Sequence, residues 1–205
     1  MNKLIYALSL ALLLQNCGTA EKAKESLAEK LIEKGTGLKI DSDNISNVKD
    51  QETSVELDWD GPSSFADVSD LNTSITVTKD LMAIVIKNDT RALVINFNAN
   101  GNSLSARPLQ AETSNSPADD GSITSNVNIT DFSEMANDMN TAVFSAMKGT
   151  ATVEKLTTDE LVLKLEGQYG HLMDLENPEA WIPLQGTIRC KYPLISRLGE
   201  GVDAI

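Results

Sequence analysis

Six consecutive apolar residues, Leu81, Met82, Ala83, Ile84, Val85 and Ile86, constrain this chain more than any other stretch. A strand with one wet face alternates polar and apolar side chains. An unbroken run of this kind predicts a central strand covered on both faces. Its surroundings agree. Ile75 and Val77 alternate with threonines before it, and Asn88-Asp89-Thr90 after it is turn chemistry. Leu93, Ile95 and Phe97 then share one face of a strand over 92–99. Asn100-Gly101 suits a type I′ hairpin turn, which needs positive φ at both central positions. Residues 103–107 can pair back, so 73–108 predicts an antiparallel meander.

Flanking segments extend the pattern. Val55, Leu57 and Trp59 fall on one face of a first strand over 54–59, which the Gly61-Pro62-Ser63-Ser64 segment breaks. Residues 110–122, rich in Ser, Asn, Asp and Pro, predict an exposed loop, and Ile123, Val127 and Ile129 suggest one more strand. A long amphipathic helix is expected over 131–148. Asp131 and Glu134 resemble a capping box, and Gly149 offers a stop. Phe132, Met135, Met139, Val143 and Met147 recur at helical spacing. The stripe is expected to pack on the sheet. As the alternative, Met135, Met139, Val143 and Met147 would wall an apolar-ligand site, since methionine adapts to varied partners.

The C-terminal third returns to strands. Residues 150–156 and 161–168 flank Thr157-Thr158-Asp159-Glu160 as a hairpin, with Leu161, Leu163 and Leu165 on one face. Residues 170–183 form a loop that holds His171, Trp181 and two prolines. Over 184–192, Leu184, Ile188, Cys190 and Tyr192 are expected inside, and Gln185, Thr187, Arg189 and Lys191 outside. The tail after Pro193 carries little pattern.

The first twenty residues give an address rather than a fold. Lys3 supplies a positive start, and residues 4–14 are apolar with one serine and no charge. That length suits a secretory signal and falls short of the ~20 residues a spanning helix needs. Leu14-Gln15-Asn16-Cys17 resembles the bacterial lipobox, a leucine three residues before a cysteine that becomes the lipidated N-terminus. Asn16 stands where that pattern usually carries a small residue. The resemblance covers this segment alone. It implies a bacterial lipoprotein acylated at Cys17, since two or more acyl chains hold a protein on a bilayer stably. The alternative is ordinary cleavage after Ala20 and a soluble secreted or periplasmic chain. Past the anchor, Ala20, Ala23, Leu27 and Leu31 make a narrow helical stripe over 20–34, closed by Gly35, which reads as a spacer. Residues 39–52 are polar and acidic, a linker.

Composition excludes several classes. A net charge of −13 over 205 residues argues against nucleic acid and against adsorption to anionic lipid headgroups. With 4% aromatics, a sugar-stacking surface is thin. The chain has one histidine and two cysteines, Cys17 and Cys190, too few for a zinc site once Cys17 is lipidated or removed. No nucleophile elbow, phosphate loop or metal spacing occurs, so no enzyme and no cofactor is expected.

These observations predict an α+β domain over 53–205. An antiparallel meander, as a sandwich or half-barrel, would carry one long amphipathic helix. A signal peptide over 1–16 and a lipid-anchored helical spacer and linker over 17–52 precede it. Functionally they predict a cell-envelope lipoprotein, placed at the outer rather than the inner membrane. It would hold the membrane through its lipid and act as a structural or interaction module for an envelope protein. A carrier of an apolar ligand or lipid is the alternative.

Overall fold

The computed structural model describes residues 51–59, 65, 68–113, 121–135 and 142–199. Ten strands form one sheet. They are β1 (Glu52–Trp59), β2 (Asn72–Val77), β3 (Leu81–Lys87), β4 (Arg91–Asn98), β5 (Leu109–Thr113), β6 (Thr124–Asp131), β7 (Val143–Leu156), β8 (Glu160–Gly170), β9 (Ile182–Lys191) and β10 (Leu194–Arg197). The order is β1-β9-β8-β7-β5-β6-β4-β3-β2-β10, curled into a half-barrel. Pairing is antiparallel except for β2–β10 and β5–β6.

The core follows from alternation. One row of side chains, Ile75, Ile84, Ile95 and Val127, crosses β2, β3, β4 and β6 at 0% exposure. The next row, Thr73, Ile86, Leu93, Ile129 and Phe144, continues it onto β7. On the other half, Leu161, Leu163 and Ile188 are sealed as well. The run over 81–86 behaves as expected: every residue of β3 from Met82 to Lys87 is buried. Deleting such a side chain leaves a cavity as well as losing the burial of its own atoms.

The expected α+β architecture is wrong, and its long helix is the reason. The Asp131 cap exists, since Asp131 Oδ1 accepts the Ser133 N–H at 2.9 Å. The described part of the helix it starts, α1, is Phe132–Met135, and from Val143 onward the chain is strand. Met139 lies outside the described residues. Val143 and Met147, assigned to a helical stripe, sit instead in the 14-residue strand β7. Two periods competed here. The methionines fit 3.6, but Phe144 and Ala146 fit 2, and both are buried, as is Ser145 between them. Thr150, Thr152 and Val153 follow, and branched side chains favour a pleated surface. Gly149 stops no helix. A Cβ there would lie 2.1 Å from the Glu166 carbonyl oxygen, so the glycine marks where β7 closes on β8.

Smaller corrections have similar causes. Asn100 and Gly101 do adopt positive φ, 49° and 87°. Residues 103–107 do not pair back, and β4 pairs with β6. The turn is held instead by Asn102, whose amide donates to the Gly121 carbonyl at 2.8 Å. Part of the loop expected over 110–122 belongs to β5, and the tail holds β10, where Ile195 is 2% exposed.

In β9, Leu184, Ile188 and Cys190 face inward as expected, while Tyr192 falls past the strand at φ 55°. Cys190 is a free thiol, and burial pushes its pKa up against hydrogen bonds from Thr53 and Thr73. Thiol reagents should therefore label it slowly in the native protein and fast in denaturant. Equal rates would show that the β9 facing is wrong.

A candidate docking crest

The connection between β8 and β9, residues 171–181, carries three large apolar side chains into solvent. Leu172, Met173 and Leu175 are 59%, 65% and 52% exposed. Among the described residues they are the exposed large hydrophobics, and all lie within four positions. Scattered single apolar residues on a surface need no explanation, whereas a cluster makes a candidate contact site.

Local chemistry holds the crest in one shape. His171 begins a 3-10 turn over Leu172–Asp174, closed by the Asp174 N–H on the His171 carbonyl at 2.9 Å. Pro178 opens a second turn, Pro178–Ala180, where its fixed φ is suited and its missing N–H costs nothing. The Trp181 indole N–H reaches back to the Asp174 carbonyl at 2.8 Å and ties the two ends together. Below, the His171 ring lies 4.0 Å from the Phe144 ring, and its Nδ1 is 3.2 Å from the Val143 carbonyl. Gly170 lets Trp181 and Met147 close in: a Cβ there would stand 3.1 Å from Trp181 Cδ1 and 3.5 Å from Met147 Cε.

An aromatic stack roots this base in the core. Phe144 meets Trp59 edge-on at 5.4 Å, and Trp59 meets Tyr169 edge-on at 5.9 Å. Such edge-to-face pairs add to the area they bury. The Tyr169 hydroxyl is sealed without a hydrogen-bond partner, and burial pushes its pKa up. Removing an unpaired buried hydroxyl removes a desolvation cost. Tyr169→Phe should therefore leave stability unchanged or raise it by up to about 1 kcal/mol, read as the urea midpoint. A clear loss would mean that the hydroxyl is paired in solution.

The rim of the crest is acidic. Asp174, Glu176 and Glu179 surround the apolar residues, and 171–181 holds no lysine or arginine. The residues expected to form a ligand wall are mostly elsewhere. Met135 ends α1, and Met139 and Cys17 lie outside the described residues. Val143 and Met147 are both half-buried on β7 near the foot of the crest, the Val143 carbonyl beside His171 and Met147 beside Gly170. The crest residues themselves were readable only as loop. Their signal was apolar size, Leu172, Met173 and Leu175, inside a segment that also holds the turn formers Asp174, Asn177 and Pro178.

Among the described residues no group of histidine, cysteine, aspartate or glutamate is arranged to hold a metal, and no helix is long and apolar enough to cross a membrane. Compared with family models, with curated proteins and with solved structures, the chain matches none.

Proposed function

We propose that this chain is a lipid-anchored interaction module of the bacterial cell envelope, and that it docks an envelope protein through the 171–181 crest. The braced exposure of Leu172, Met173 and Leu175 carries the reading. A loop already fixed in shape loses little entropy on binding, so the apolar area it buries is returned as affinity. The acidic rim fits a socket edged with lysine or arginine and repels an anionic bilayer. Leu14 and Cys17 support the anchor. The carrier alternative needs a methionine-striped helix over the sheet, and among the described residues Val143 and Met147 lie in strand β7 instead.

The test pairs the native protein with Leu172→Ser/Met173→Ser. Both are photo-cross-linked in intact envelopes from a probe at Leu175. The double variant should lose the cross-linked protein about tenfold or more while its melting temperature holds, because a few apolar anchors dominate an interface. An undiminished cross-link overturns the proposal. So does crest-dependent binding of delipidated protein to zwitterionic vesicles, which would make the crest a membrane contact. The anchor is tested separately by intact mass. The mature chain should begin at Cys17 with added acyl mass, and an unmodified chain beginning at Glu21 would remove the anchor from the proposal.

A further inference from the structure

The sheet has two terminal strands, and they are unlike. β10 is four residues long, and a short edge offers little to pair with. β1 is eight residues long, and its register with β9 runs unbroken from Glu52 opposite Lys191 to Trp59 opposite Leu184. It holds no proline, no lysine and no bulge, and its exposed charges are all acidic, Glu52, Glu56 and Asp58. At its start, Gln51 and Thr53 are tied to Thr73 of β2, the Gln51 amide donating to the Thr73 carbonyl at 3.0 Å. Beyond Thr53, no described strand pairs with the other side of β1.

Both faces of β1 say what would fit there. Inward, Val55 and Leu57 are only half-buried, although Leu163 and Ile188 on the neighbouring strands are at 0%. The core is therefore left open along this edge. Outward, Glu56 and Asp58 are exposed and stand at the head of two polar ladders. One runs Glu56, Thr187, Lys164, Thr152 and Gln110, and the other runs Asp58, Gln185, Glu166 and Thr150. The ladders line an open trough of about 510 Å³. Its single cation, Lys164, is held by Glu154 at 2.6 Å, so Glu56, Asp58 and Glu166 set its sign.

We propose that the edge of β1, which no described strand pairs, accepts an extended segment of a partner as an added strand. Its inward side chains are apolar and cover Val55 and Leu57. Its outward side chains are lysine or arginine and meet Glu56 and Asp58. Alternation supplies both at once, because successive side chains of a strand point to opposite faces. Main-chain pairing gives affinity and the alternate side chains give selectivity. A second copy of the chain fits poorly, since antiparallel self-pairing would bring the glutamates and aspartate of two β1 strands together. The site depends neither on the anchor nor on the crest.

A capped peptide alternating lysine and valine over seven residues serves as the probe, with the unlipidated chain from Glu21 onward. It should slow amide hydrogen exchange over 54–59. It should bind at least about tenfold more tightly than the same peptide with two of its valines replaced by proline, which keeps the charge but cannot complete a ladder. Glu56→Gln/Asp58→Asn should weaken binding about tenfold, and the charge-matched Asp80→Asn/Asp89→Asn should not. Equal binding of the proline peptide would reduce the effect to attraction by a chain of net charge −13 and overturn the proposal. Protection elsewhere than β1, no binding, or concentration-dependent protection of β1 without peptide would overturn it too.

Discussion

Gly186→Val should cost about 4 kcal/mol or more, enough to unfold a domain of ordinary stability. At Gly186, φ is 159°, and a Cβ would lie 2.0 Å from the Glu56 carbonyl oxygen and 2.8 Å from Leu57 Cα. The obstacle is backbone, which cannot rotate away as a side-chain tip would. β1 must therefore separate from β9 where Leu57 faces Gly186. Separation unseals Trp59, only 8% exposed, and removes its edge contacts with Phe144 and Tyr169. Gly101→Ala is the control. Its φ of 87° lies in the left-handed region, but nothing lies within 4 Å of the added Cβ. Its cost should be about 1 kcal/mol, from backbone conformation alone. Urea unfolding of the two variants separates steric crossing from backbone preference. Equal midpoint shifts would show that β1 does not approach β9 as closely as the structure has it.

The β part of this fold was legible because its signal is short-ranged. The 81–86 run, the alternation of Leu161, Leu163 and Leu165, and the 157–160 turn each need only a few neighbours to read. Thr157 N–H does bond the Glu160 carbonyl at 2.9 Å across that turn. Strand order was not legible. Nothing near Leu109 says that β5 will wedge between β6 and β7, and nothing near Leu194 says that β10 will run parallel to β2. Those placements are settled by which apolar rows remain uncovered once the hairpins exist. The crest failed for a different reason. Solvent exposure of Leu172 and Met173 is a property of the finished surface, and an apolar residue in a loop looks the same in sequence whether it folds in or stays out. Val143 and Met147 were singled out for the wrong period and still lie beside the crest, because β7 passes directly beneath it.

Phe144→Ala is expected to cost ~3–5 kcal/mol, the range for truncating a buried aromatic residue. Phe144 is 3% exposed and pairs with Ile129 across β6. Its ring supports Trp59 on one side and His171 on the other, so its loss opens the core and the foot of the crest together. Met147→Ala should cost only about 1 kcal/mol, because that side chain is half-buried. The ranking discriminates between the two periods. A helix over 131–148 would put Met147 on the packed stripe and make its truncation the severe one. The strand puts Phe144 inside and reverses the order. Hydrogen exchange adds the functional half. In Phe144→Ala the amides bonded within 171–181, such as Asp174 and Trp181, should exchange faster than in Met147→Ala at matched global stability. Docking through Leu172, Met173 and Leu175 should weaken with them, although Phe144 itself never meets the partner. If the crest stays protected when Phe144 is truncated, then Trp181 and the two 3-10 turns hold it unaided, and the aromatic stack serves the core alone.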